Sequence, residues 1–254
     1  MVKGSWQKQQ VRSFIQMNRF SSEDEAGTPG WKRALDVSLV LLLLPVLIPL
    51  AMVIAGMICL VSRGPILFKQ HRVGRHGKKF VCFKFRTMVV GADSQSHEGH
   101  LRELIHSNVP MIKMDAHGDS RIIPCGIFLR ATGLDELPQL INVLRGEMSI
   151  VGPRPCLPYE AEHYLPWQHE RFNVAPGLTG LWQVSGKNKT TFTEMIQLDI
   201  EYARRCNLLL DLKIIFMTAP VLLAQVFETP KKKAARRTVA AQQETIFPAQ
   251  ATNH

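Results

Sequence analysis

The sequence predicts an α/β fold, mostly α with a small β-hairpin, on a monotopic membrane frame. That frame comprises an N-terminal re-entrant helix, a compact domain on the cytoplasmic side, and amphipathic helices at the interface. Three observations predict it. Val37 to Ser62 contains no charged residue, which exceeds the roughly 20 apolar residues a membrane-spanning helix needs. Lys32 and Arg33 precede that segment, and Arg63, Lys69, Arg72, Arg75, Lys78, Lys79, Lys84 and Arg86 follow it, with no acid until Asp93. The remainder alternates one short stretch of strand period with several of helical period.

Residues 1–30 are polar, lack an apolar period and include "SSEDEAGTPG", which reads as a flexible extension. No short apolar core with a small-residue cleavage site lies near Met1, so no cleaved signal peptide is expected. Residues 31–63 form the membrane segment. Pro45 and Pro49 sit inside it, and each removes a backbone donor and crowds the preceding turn. Basic residues on both flanks favour the cytoplasmic side for both ends. A helix that enters, breaks at proline and returns satisfies this; a proline-kinked spanning helix is the alternative. Asp36 follows Lys32 and Arg33 by about one turn and can pair with them at the headgroup level.

The domain is expected over 64–227. "PILFKQHRVG", "RHG" and "KKFVCFKFRTMV" read as a hairpin, with Val81, Phe83 and Phe85 on an apolar face and Cys82, Lys84 and Arg86 on a cationic one. "HLRELIHSN" suggests a short helix, and His97, His100, His106 and His117 scatter without ligand spacing. Residues 134–145 read as a helix with Thr132 and Asp135 as a capping box, Pro138 in the first turn and Gly146 past the end. "VGPRPCLP" must be extended or turning. Met195, Leu198 and Tyr202, with Ile196, Ile200 and Ala203, have helical spacing. "LLLDLKIIFMTAPVLLAQVF" is interrupted by Asp211, Lys213 and Pro220, so it packs on the domain or lies in the interface. Residues 228–254 form a basic tail, either solvated or touching anionic lipid.

The formal net charge of +10 favours an anionic partner: nucleic acid, phosphates or a membrane surface. The five cysteines have no metal-ligand spacing and suit a reducing compartment. No phosphate loop, dinucleotide fingerprint, HExxH or nucleic-acid reading module occurs, and the apolar segment points away from nucleic acid.

Asp135 and Glu136 are adjacent at a helix start, where anions are favoured. Helical neighbours diverge by about 100°, so divergent roles suit them: one carboxylate attacks phosphorus and the other holds Mg²⁺, which takes oxygen ligands. On spacing alone, capping the helix accounts for both. Arg86, Arg121, Arg130, Arg145 and Arg154 lie near turns around this pair, and arginine recognises phosphate through a planar fork. Singly each is an ordinary surface ion pair. Together with the acidic pair and the membrane segment they suggest a phosphorylated substrate handled at a bilayer.

From about Trp31 to about Gln225 the chain resembles the bacterial sugar transferase family, the monotopic phosphoglycosyl transferases that start lipid-linked glycan assembly. The motifs are "KRALD" with the apolar segment, "GPILFKQHRVGRHGKKFVCFKFRTM", "DSRIIPCGIFLRATGLDELPQLINVLRGEMSIVGPRP", "APGLTGLWQVSGKN" and "LDIEYARRCNLLLDLKI". The resemblance is to the family's small form and implies a bacterial inner-membrane protein with its catalytic domain facing the cytoplasm. It implies that Asp135 is the nucleophile toward a UDP-sugar, that Glu136 binds Mg²⁺, and that Arg130 and Arg154 lie near the phosphates. Arg86 is expected to contact phosphate as well. The acceptor would be a polyprenyl (undecaprenyl) phosphate, with membrane lipids as the other partner and no nucleic acid. The helix break is expected at Pro49, with help from Pro45. "PGLTG" and "WQVSGKN" match a family block whose ligand role is less defined.

Two positions depart from the family's pattern. Ile48 stands where serine often precedes the breaking proline, and Gly133 stands where serine precedes "LDE". The second change removes a cap that Thr132 is expected to supply. Two other functions remain in view: a non-catalytic membrane scaffold of a polysaccharide assembly system, and a membrane-associated nucleic-acid binder. The sugar, the glycan pathway and the oligomeric state, a homodimer included, are left open.

Overall fold

Helix α1 runs from Gly30 to Val61 and stays helical through both prolines. The computed structural model describes residues 27–91, 99, 110, 121–186 and 190–227. The body of the expected N-terminal extension, the four histidines and short helix within 92–120, and the basic tail from 228 lie outside the described residues. The expected interruption at Pro49 is therefore not an interruption of the helix. Pro45 and Pro49 are four apart, so they remove two stacked hydrogen bonds from one side of α1, a pattern that kinks a helix without ending it.

Strands β1 (Leu67–Val73) and β2 (Lys79–Phe85) form the expected antiparallel hairpin, with Val73 opposite Lys79 and Leu67 opposite Phe85. Its faces differ from expectation. Phe80 and Cys82 are buried in a cluster with Val40, Val143 and Met148, whereas Val81 and Phe83 are half-buried. The predicted alternation holds only at Phe85, which packs with Ile54, Ile58, Ile123 and Leu129. The reason lies outside the hairpin: α1 and the helix after residue 138 cover the Phe80–Cys82 face, and a strand alone does not record which face is covered.

The helix expected over 134–145 is split. Helix α2 (Gly126–Thr132) is followed by a 3₁₀ turn, Leu134–Glu136, and by α3 (Gln139–Arg145). Pro138 has no N–H to bond back to Leu134, so the first turn tightens: Glu136 N bonds Gly133 O and Leu137 N bonds Leu134 O. Gly146 ends α3 in the left-handed conformation, as expected.

Strands β3 (Ser149–Val151) and β4 (Gly177–Thr179) pair in parallel. Gly177 permits a close crossing: a Cβ there would lie 2.1 Å from Gly152 N, so the "PGLTG" block is needed for packing. Between the two strands lie α4 (Pro158–Glu162) and a 3₁₀ segment, Pro166–Asn173. The short α5 (Leu181–Val184) follows β4. Helix α6 (Phe192–Arg205) starts at a reciprocal Thr191–Glu194 capping box and buries Met195, Ile196, Ile200 and Tyr202, the predicted face. Helix α7 (Leu208–Phe227) continues through Pro220. It buries Asp211 and Ile214 against the domain and leaves Leu209 and Phe216 exposed.

Candidate active site

The acidic pair is placed by what precedes it. Thr132 does not cap the turn. Its hydroxyl donates to Phe128 O and Leu129 O, 2.9 and 3.1 Å away, and no side chain caps the 3₁₀ segment. Gly133 makes the reversal, with φ 74°. A left-handed residue is needed between α2 and the turn, and glycine takes it without strain. The departure from serine at this position is thus matched to the local backbone.

Asp135 is only 8% exposed, whereas the Glu136 side chain is 40% exposed. Successive residues of a 3₁₀ turn diverge by about 120°, which gives adjacent carboxylates different surroundings. Lys84 reaches across from β2 and donates to Glu136 Oε1 at 2.8 Å. The sequence puts Lys84 in the basic flank and on the cationic face of the hairpin, with no partner assigned. Its place in "KFRTM", on the Cys82 side of β2, was visible, but which carboxylate it meets was not.

The predicted arginines fall into different surroundings. Arg130, in the last turn of α2, donates to Thr87 Oγ1 at 3.3 Å, and Thr87 O in turn accepts from Ile123 N. It therefore stands on the segment that leads to Asp135. Arg86 is buried and committed elsewhere. It donates to Ser62 O, Ser62 Oγ, Arg63 O and Pro65 O, so its guanidinium ties down the end of α1. Only one of its N–H groups remains beyond those four bonds, which disfavours the expected phosphate contact.

Arg154 is bonded to both oxygens of Glu160, at 2.9 and 3.3 Å. It lines a narrow crevice with Val73, Gly74, Pro153 and Arg171. That crevice is at the turn end of the hairpin, while Lys84 is at the other. Arg154 thus sits beside Val73 and Gly74, at the end of β1. Around it lies a buried ionic network: Arg171 donates to Asp199, to Tyr164 Oη and to Arg154 O. Burial pushes the Asp199 carboxyl up to about 6 against the pull of Arg171, and Arg171 is held firmly charged.

The membrane-helix base also differs from expectation. Lys32 and Asp36 are both buried, and Lys32 pairs with a distant residue instead of Asp36. Lys32 Nζ donates to Asp211 Oδ2 at 2.5 Å, and to Val151 O and Tyr202 Oη at 2.9 Å each. Asp36 accepts from Ser149 Oγ and Ile150 N. Arg33 donates to Val143 O and Leu144 O at the end of α3. Burial explains the change: a charge removed from water needs several good partners, more than one neighbour along the same helix supplies.

Among the described residues no group of three His, Cys, Asp or Glu side chains could hold a metal ion. A carboxylate pair with one half-exposed member fits Mg²⁺, which binds through one or two carboxylates and completes its shell with phosphate and water oxygens. It does not fit a closed zinc site.

The family model described as bacterial sugar transferase matches residues 28–225. The exopolysaccharide production protein ExoY of Sinorhizobium fredii is 38% identical over 196 residues, 75% of this chain and 84% of that protein. The UDP-glucose:undecaprenyl-phosphate glucose-1-phosphate transferase of Caulobacter vibrioides is 41% identical over 200 residues, 76% of this chain and 69% of that protein. The undecaprenyl-phosphate galactose phosphotransferase of Salmonella typhimurium is 42% identical over 166 residues, 63% of this chain. The chain spans only 34% of that last relative's length.

Proposed function

This chain belongs to the bacterial sugar transferase family, and from that premise we propose that it is a phosphoglycosyl transferase. It moves a sugar 1-phosphate from a UDP-sugar to a membrane polyprenyl phosphate, giving polyprenyl-diphosphate sugar and UMP, the first membrane step of a bacterial glycan. The observation that carries this reading is the unequal pair: a buried Asp135 beside a half-exposed Glu136 whose carboxylate is engaged by Lys84.

In the first step an Asp135 oxygen attacks the sugar-bearing phosphorus of the donor. The bond from that phosphorus to the bridging oxygen breaks, and UMP leaves with the bond electrons. Asp135 then carries the sugar phosphate as an acyl phosphate. In the second step a polyprenyl phosphate oxygen attacks the same phosphorus, and the Asp135 carboxylate is regenerated. Arg130 and Lys84 stabilise charge on the transferring group by electrostatics. Mg²⁺, held by Glu136, would offset the diphosphate charge when bound. Burial of Asp135 keeps competing water away from the acyl phosphate.

The membrane attachment follows the same reading. Helix α1 is long and apolar enough to cross a membrane. Yet both its ends are tied to the same domain, through Lys32 and Asp36 at one end and Ser62 with Arg86 at the other. That supports a helix which enters and leaves from one face; the basic residues on both flanks favour the cytoplasmic side of the inner membrane for the domain. Holding the domain at the surface brings a soluble donor and a lipid acceptor to one site.

The test is mass analysis of the intact protein after incubation with a UDP-sugar and Mg²⁺ but no acceptor. A sugar-phosphate adduct on the peptide bearing Asp135, absent from Asp135→Asn, is expected. Product formation by a protein that never carries the adduct would remove the covalent mechanism. A panel of UDP-sugars read by UMP release identifies the sugar.

A further inference from the structure

Helix α2 turns an apolar face outward. Ile127 is 62% exposed and Phe128 57%, although the same short helix buries Leu129 completely. The buried side rests on α1: Leu129 packs with Ile54, Ile58, Phe85 and Ile123, with Leu50, Ala51 and Ala55 at the edge of the cluster. On another side, the C-terminal end of α2 approaches α7, where a Cβ on Gly133 would lie 3.8 Å from Leu222. Both neighbours expose apolar residues of their own: Met52, Val53 and Leu60 on α1, and Phe216, Met217 and Leu222 on α7. Ile127 and Phe128 thus lie on a helix flanked by two others with exposed apolar surface. Exposure of this kind marks a binding or membrane surface more often than an accident of folding.

Position narrows the occupant. Phe128 precedes Arg130 by two residues and Asp135 by seven, and α2 leads through a single glycine into the acidic turn. An acceptor whose phosphate reaches Asp135 must lay its hydrocarbon along some apolar surface leading away from that turn. The outer face of α2 provides one, continuous with the apolar helix that attaches the protein to the bilayer, and Arg130 supplies a positive charge between chain and reacting phosphorus. We propose that Ile127 and Phe128 form the docking surface for the first isoprene units of the polyprenyl phosphate, and so set the enzyme's preference for a long prenyl chain. This rests on the phosphoglycosyl transferase reading given above.

The experiment uses the full chain in nanodiscs and the double variant Ile127→Ser with Phe128→Ser. Three quantities are read: adduct formation from the UDP-sugar alone, and KM for a short-chain and for a long-chain prenyl phosphate. Adduct formation is expected to be unchanged, because the donor half-reaction does not use this face. KM for the long-chain acceptor rises roughly tenfold or more, the scale expected for two lost apolar contacts, while KM for the short-chain acceptor moves less. Phe128→Leu, which keeps an apolar contact, restores most of the long-chain preference. An unaltered ratio of the two KM values overturns the proposal, as does equal loss of nanodisc binding with and without acceptor, which would make the face a general lipid contact. If the double variant misfolds and forms no adduct, Phe128→Ser alone and Ile127→Ser alone are read by the same ratio. Failure of the unmodified protein to form any adduct would count against the reaction itself and is seen before any variant is made.

Discussion

Lys32 and Asp211 form an ion pair of 2.5 Å between residues 179 apart in sequence, with both side chains 1% exposed. The pair joins the start of the membrane helix to the start of α7. Tyr202 joins it from α6, donating to Asp211 Oδ1 at 2.6 Å and receiving from Lys32. Removing one partner leaves the other charge buried and uncompensated. Lys32→Met or Asp211→Asn should each cost about 3–5 kcal/mol. The double variant should lose less than the sum of the two, by more than about 1 kcal/mol. Thermal unfolding in detergent, run as a double-mutant cycle, checks this; strict additivity would mean the pair is not coupled.

Anchoring of both ends of α1 to one domain leads to a prediction about topology. Single cysteines at Trp31 and Arg63, in a background without the native cysteines, should react with an impermeant maleimide from the same side of the membrane. Labelling from opposite sides would make α1 a spanning helix.

Gly133→Ala places a side chain at φ 74°, where an L-residue is disfavoured by about 1–2 kcal/mol. The added Cβ has room, since Leu222 is 3.8 Å away, so the loss of stability should stay near that figure. The larger effect falls on the acidic turn, which follows directly. UMP release should fall by tenfold or more while the unfolding temperature drops by only a few degrees.

The Lys84–Glu136 contact is partly exposed and should contribute at most about 1 kcal/mol to stability. Lys84→Ala is therefore expected to unfold at nearly the same temperature as the unmodified protein but to release UMP at least tenfold more slowly. Glu136→Gln should raise the Mg²⁺ concentration needed for half-maximal rate. Equal rates across a Mg²⁺ titration would take Glu136 out of the metal's surroundings.

Glu160 gives a pH signature. Its burial pushes the carboxyl up, but Arg154 first and Arg72 next more than offset this, and the group is held below its ordinary value of 4.5. A depressed folded value stabilises the fold above the unfolded value, and that contribution is lost as pH falls through the folded one. The unmodified protein should therefore lose thermal stability steeply below about pH 4.5, as the linkage requires. Glu160→Gln should be less stable by about 3 kcal/mol at neutral pH and should lose less on acidification. Parallel melting curves for the two proteins across the acid range would contradict it.

The sequence by itself determined the local features. Absence of charge from Val37 to Ser62, the strand period of the hairpin, the apolar spacing of α6 and the adjacency of Asp135 and Glu136 all come from neighbours along the chain. Periodicity and propensity act over that range, and α1, β1, β2 and α6 came out where they predict. Tertiary structure decided everything that depends on partners distant in sequence. It chose which face of β2 to bury, sent Lys32 to Asp211 instead of Asp36, committed Arg86 to the end of α1 and brought Lys84 to Glu136. It also turned one expected helix into a 3₁₀ turn and a short helix around Pro138. Buried charges and strand faces are settled by what packs against them, and no local pattern in the chain carries that information.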